Sequence, residues 1–156
     1  MTRGSKIFRA EDVPESNATG YPEPHRATNM HRYARRLGEF AGLSNFGVNV
    51  VRIVPGGQSS ARHAHAAQDE IVLVLEGEIT LETDAGREKL TPGTWVGFPK
   101  GTGDAHRLLN ETQSDVVFLV VGDKSPDKVT YPDIDLYGEH GPDGTFRYTH
   151  KDGTPY

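Results

Sequence analysis

The chain is 156 residues long, has no cysteine and seven histidines, and carries a formal net charge of −5. That length suits one domain with a core of its own. The missing thiols exclude disulfides, thiolate nucleophiles, iron–sulfur clusters and zinc fingers, so any metal must rest on His, Asp or Glu.

The acidic balance, 22 Asp and Glu against 17 Lys and Arg, argues against nucleic acid as a partner. No apolar run approaches the roughly 18 residues of a membrane span. Met1 to Ala10 carry basic residues with no apolar stretch behind them, so no secretory signal and a soluble, cytoplasmic protein are expected. A hydrophobic share of 35% is low and points to polar arms on a smaller core.

Residues 1–42 form the first arm, punctuated by Pro14, Gly20, Pro22 and Pro24. Within it, Asn29 to Leu37 is the one helix-like stretch, carrying His31, Arg32, Arg35 and Arg36. This basic run is either an anion- or phosphate-binding arm or a solvated edge. From residue 43 to 122 short apolar runs follow one another: Phe46 to Val54, Ile71 to Leu75, Ile79 to Leu81, Trp95 to Phe98 and Val116 to Val121. Each is rich in Val, Ile, Phe or Thr and bounded by Gly, Pro or Asp, which predicts an all-β sandwich or barrel. Ile71 to Leu75 is apolar at every position, which predicts a central strand covered on both faces. Residues 123–156 are Asp-, Gly- and Pro-rich yet hold Tyr131, Tyr137, Tyr148 and Tyr156 with Ile134, Leu136 and Phe146. Disordered tails are poor in aromatics, so an irregular but ordered arm is expected, packed on the barrel or on a partner subunit.

The densest chemistry lies between Gly57 and Gly77. His63 and His65 share one side of a strand, about 7 Å apart. A turn over Ala66 to Asp69 would set Glu70 across a hairpin from His65, so that two imidazoles and a carboxylate converge as ligands for a borderline divalent metal. Such polar groups beside a covered strand need pairing or ligation. A second cluster, Gly93 to Gly101 followed by His106 and Asn110, can return a further histidine to the same interior, although spacing alone does not require it.

These two clusters resemble the motifs of the cupins, small double-stranded β-helix (jelly-roll) barrels. The first motif is matched by Gly57, His63, His65, Glu70 and Gly77, and the second by Gly93, Pro99, Gly101, His106 and Asn110. Four residues, Thr102 to Ala105, separate Gly101 from His106 where the family pattern has two. Leu43 to Asn49, Gln68-Asp69-Glu70, Gly103 to His106, Tyr131 to Leu136 and Lys151 to Tyr156 are similar to a group of small bacterial single-domain cupins. That group is called mannose-6-phosphate-isomerase-like or sugar-phosphate-isomerase-like by analogy of fold. The resemblance implies one divalent metal (Zn, Fe, Mn or Ni) on His63, His65, Glu70 and His106, and a homodimer.

Three functions compete: isomerase or lyase chemistry on a sugar, oxygenation by non-haem iron, and non-catalytic binding of a small ligand. No general base is identified: Glu70 is used as a ligand, and Glu82 and Glu88 are expected to face solvent. Arg52 either points inward to contact an anionic substrate or lies outward over apolar surface. Asp104 either supports an imidazole N–H from behind or caps the turn. Phe46, Trp95, Phe98 and Phe118 are either pocket lining or barrel core. His25, His31, His140 and His150 lie in the arms and need no metal role.

Overall fold

A computed structural model describes residues 7–156. The described residues form β1 (Glu15–Ser16), β2 (Arg32–Arg36), α1 (Leu37–Ala41), β3 (Phe46–Ile53), β4 (Ala64–His65), β5 (Glu70–Glu76) and β6 (Ile79–Thr83). They continue with β7 (Gly86–Leu90), β8 (Trp95–Phe98), β9 (Arg107–Leu109), β10 (Val116–Asp123), β11 (Lys128–Tyr131), β12 (Leu136–His140) and β13 (Phe146–Thr149). The strands make a six-stranded sheet in the order β1-β2-β3-β10-β5-β8, a three-stranded sheet β7-β6-β9 and a four-stranded sheet β13-β12-β11-β4. The chain is therefore all-β, a jelly roll, as the short strands and their turns predict. No helix among the described residues is long and apolar enough to cross a membrane.

Alternation sets which side chains fill the barrel. Val51 and Ile53, Val72 and Val74, and Phe118 point inward from the large sheet and meet Ile79, Leu81 and Leu108 of the small one in a single core. Two motif glycines are explained by close approach and by backbone sign. A Cβ on Gly57 would lie 2.7 Å from His31 Cβ and 2.8 Å from Ile53 Cγ2. Gly77 has φ +77, a conformation that favours glycine, and carries the turn between β5 and β6. Asn110 is fully buried, and its amide donates to the carbonyls of Ile53 and Ser114, both at 2.8 Å, which ties β3 to the turn before β10.

Several expectations are corrected. Asn29 to Leu37 is not a helix: a 3-10 turn covers Ala27–Asn29, Arg32–Arg36 is a strand, and α1 begins at Leu37. Pairing with β3 outweighs the weak helical pattern, since Arg32, Ala34 and Arg36 then share one side of an extended strand. The C-terminal arm is more regular than expected, a meander of β11, β12 and β13. Its Val129, Tyr131 and Leu136 bury against Ala61, with Tyr21, Phe146 and Tyr148 packed around them, so it rests on the barrel of its own chain. β5 is central, between β10 and β8, but covered on its inner face only: Ile71 and Leu75 are 41% and 40% exposed. Glu82 does not face solvent freely, because it is half-buried between Arg87 and Arg107.

Candidate functional site

The four motif side chains meet in the barrel, though not through the expected hairpin. β4 pairs with β11, whereas β5 pairs with β10 and β8, so His65 and Glu70 come from different sheets. His63 and His106 instead face each other across a two-bond backbone bridge, His63 N to His106 O at 3.1 Å and His106 N to His63 O at 2.9 Å. This bridge accommodates the longer Gly101–His106 segment, because the ladder fixes where His106 sits whatever the turn length before it.

The donor atoms converge as two pairs. Nε2 of His63 and Nε2 of His65 are 3.0 Å apart, and His106 Nε2 is 3.6 Å from Glu70 Oε1. The His63 ring centroid is 4.7 Å from those of both other histidines. Among the described residues no three such donors already surround a common cation position. His106 is 4% exposed, and neither of its ring nitrogens has a hydrogen-bond partner. Its ring lies flat on Phe98, 3.6 Å between centroids at 7°. Burial, with His106 and His65 close by, pushes His63 down to about 4, so its imidazole is neutral. Burial alone would raise Glu70, but the His106 contact and the neighbouring imidazoles outweigh it and hold the carboxyl low, as a carboxylate.

The far side of two rings is anchored. His63 Nδ1 lies 3.0 Å from Ser60 Oγ and 2.9 Å from Ala61 O. His65 Nδ1 lies 2.6 Å from Oδ2 of Asp127, whose other oxygen accepts from Ala67 N at 2.7 Å. Asp127 is held in turn by His140: its N–H donates to His140 Nδ1 at 2.9 Å, and its carbonyl accepts from His140 N. Asp104, the sequence candidate for this supporting role, instead accepts from Asp84 N at 2.9 Å and touches no imidazole.

Arg52 is likewise outside the site. It alternates with inward Val51 and Ile53, donates to Glu15 and Asp115, and lies 4.4 Å over the Tyr33 ring. Of the aromatic set, Phe98 and Phe118 are inside, while Phe46 and Trp95 are 52% and 58% exposed. The histidines open onto a cavity of about 410 Å³ bordered also by Tyr21, Arg32, Arg36, Asn49, Gln68 and Tyr148. Burial pushes the Tyr21 phenol up to about 12. Tyr21, Arg32 and Asp127 carried no motif to mark them; only the basic run around Arg32 had pointed this way.

A family model for a cupin domain matches residues 49–122. A sugar phosphate isomerase of the cupin superfamily from Silicibacter pomeroyi is 37% identical, with 96% of each chain covered and a TM-score of 0.91. A provisionally named sugar phosphate isomerase from Acidithiobacillus ferrooxidans is 29% identical over 80% of each chain, with a TM-score of 0.72. The polyketide cyclase RemF from Streptomyces resistomycificus shares the fold at 24% identity, covering 76% of this chain and 79% of its own, with a TM-score of 0.63. No curated protein matches the chain. With motifs, barrel and a relative similar over nearly the whole length in agreement, this chain belongs to the cupin superfamily.

Proposed function

We propose that this cupin acts on a small oxygenated metabolite in the manner of a sugar phosphate isomerase, with one divalent metal held by His63, His65, Glu70 and His106. The observation that carries the proposal is the buried His106 ring, neither of whose nitrogens makes a hydrogen bond although Nε2 lies 3.6 Å from Glu70 Oε1. A buried polar group left so costs about 1–3 kcal/mol, which a cation at Nε2 would offset. The spacing supports it: two donors about 2.1 Å from one ion at a right angle lie about 3.0 Å apart, which is the His63–His65 separation. With Nδ1 of both these rings engaged from behind, Nε2 of each is left to offer its lone pair to the centre.

When bound, a metal with three imidazoles and one carboxylate supplies Lewis-acid polarisation of a carbonyl and its neighbouring hydroxyl. The chain's own residues do the rest. Phe118 and Val120 from the large sheet and Leu108 from the small one give the cavity apolar lining that excludes water, and Asn49 offers its amide to substrate hydroxyls. Tyr21, kept a neutral phenol by burial, holds a proton at the cavity wall. The name borne by the Silicibacter pomeroyi relative supports this substrate class.

Elemental analysis of protein purified without chelators tests the proposal, together with solvent deuterium exchange at C2 of aldose and ketose phosphates. About one metal per chain with exchange at C2 is expected. Iron with oxygen uptake and no exchange would assign oxygenase chemistry instead, and a protein that neither retains nor takes up metal would end the metal proposal.

We also infer a homodimer, formed through the outer face of the large sheet. There Trp95, Leu73, Leu119 and Val50 form one row across β8, β5, β10 and β3, and Ile71, Val121 and Val48 lie in a row beside it. A continuous apolar sheet face of this kind is uncommon on a monomer, and a two-fold axis lets one such patch cover its own copy. Sedimentation should give a dimer for the wild type and a monomer for Trp95→Glu. A wild-type monomer, or a W95E dimer of unchanged strength, would remove this interface.

A further inference from the structure

Five arginines among the described residues are half-buried: Arg32, Arg35, Arg52, Arg62 and Arg107. Four of them end on oxygen. Arg35 donates to Val13 O, Arg52 to Glu15 and Asp115, Arg62 to Asp133 and Asp84, and Arg107 to Glu82 and Gln58. Arg32 has no hydrogen-bond or ion-pair partner among the described residues, and it borders the cavity that holds the histidines. A guanidinium has five donors and no means of shedding its charge near neutrality, so leaving one unmatched in a half-buried position costs more than pairing it.

Its placement is set by β2. Arg32, Ala34 and Arg36 share the inward side, and Ala34 is buried beneath the two arginines. Arg36 reaches the same cavity, and its one ion-pair partner among the described residues, Glu39, is 3.7 Å away with both side chains largely exposed. A second, adjoining cavity of about 320 Å³ has three cations, Arg32, Arg36 and Lys124, and one carboxylate, Glu39, on its border. Arg32 and Arg36 thus border the cavity from β2, while Glu70 borders it from β5 of the same sheet, beyond β3 and β10, beside the three histidines. Burial lowers the Arg32 pKa and the Glu70 charge opposes that, which puts the two groups within electrostatic reach across the cavity.

We infer that Arg32, assisted by Arg36, is the recognition site for an oxyanion carried by the substrate, a phosphate or a carboxylate, held while the oxygenated end of the same molecule reaches His63, His65 and His106. The inference rests on the proposed substrate class for its second half; the oxyanion site itself does not require the metal. Two guanidinium charges suit a phosphate dianion better than a carboxylate. The four arginines with acceptors are structural, and the one without an acceptor is the one that faces the ligand space.

Isothermal titration of the protein as purified, with inorganic phosphate and separately with acetate as probes, tests this. The variants are Arg32→Gln, Arg36→Gln and, as a control on the opposite side of the same strand, Arg35→Gln, with the metal content of each measured alongside. Phosphate should bind the wild type, and R32Q should lose about ten- to a hundredfold in affinity, the range for a charged hydrogen bond. R36Q, an exposed position that leaves the fold intact, should lose less, and R35Q should match the wild type. Tighter binding of acetate than phosphate would assign the carboxylate as the end group. Phosphate and acetate both failing to bind, or binding R32Q as well as wild type, would overturn the inference. Metal content distinguishes the two ideas: R32Q that keeps its metal but loses phosphate supports the oxyanion site, while metal absent from every variant counts against the metal centre alone.

Discussion

Replacing His106 with alanine should abolish the stabilisation that a divalent metal gives to the folded protein. For the wild type, metal at about 100 times its dissociation constant stabilises the native state by about 2.7 kcal/mol, which for a chain of this size raises Tm by about 5–10 °C. The alanine variant removes a donor whose nitrogens have no other partner and opens a void against Phe98, the ring on which His106 lies flat. Glu70→Gln makes the complementary test, because it keeps the shape of the side chain while removing its charge and turning one acceptor oxygen into an NH2 donor. Both variants should show a Tm that no longer responds to added metal, read by calorimetry with and without a chelator. H106A should also melt below the metal-free wild type, since the stacking contact is lost, whereas E70Q should melt close to it. A metal-dependent rise of the same size in both variants would show that the ion sits elsewhere.

His63 and His65 could be found in the sequence because strand alternation has a period of two, whereas His106 was marked by the resemblance to the second cupin motif. His63 and His65 fall on one side of any extended segment, and a polar pair beside apolar runs has few ways to be satisfied. The short apolar runs that hold Val51, Ile53, Val72 and Val74 made the strands legible, but not which of their residues fill the core. What failed was whatever depended on partners far away in the chain. The expected hairpin between His65 and Glu70 is a crossing between sheets, because β4 finds its partner in β11 more than sixty residues later. The same strand pair brings Asp127 behind His65, and no local spacing announces a carboxylate at that distance. Arg32 stood in a basic run that could serve an anion, but a weak helical pattern, which strand pairing with β3 overrides, hid which of its residues face inward. Ile71 to Leu75 misled in another way: an all-apolar strand signals two covered faces, and here one cover is missing from the single chain.

Asp127 should prove nearly as important to the centre as the histidines themselves. Its side chain is 1% exposed, and its two oxygens accept from His65 Nδ1 at 2.6 Å and Ala67 N at 2.7 Å. An acceptor at Nδ1 keeps the proton there and leaves Nε2 bare, which is the tautomer a ligand needs. In Asp127→Asn, one position becomes an amide NH2. If it faces Ala67, two donors oppose each other in a buried site. If it faces His65, the imidazole must give up its Nδ1 proton and carry it on Nε2, toward His63. Either arrangement weakens the centre, so D127N should bind metal about 10–100-fold more weakly, measured by competition with a chromophoric chelator. It should also unfold at lower urea, with a loss of about 1–3 kcal/mol for the mismatched donor. Asp104→Asn is the control, because Asp104 serves only an exposed turn through Asp84 N; it should keep wild-type metal affinity and lose less than about 1 kcal/mol. D127N with the metal affinity of the wild type would mean that His65 is oriented by its strand and not by the carboxylate behind it.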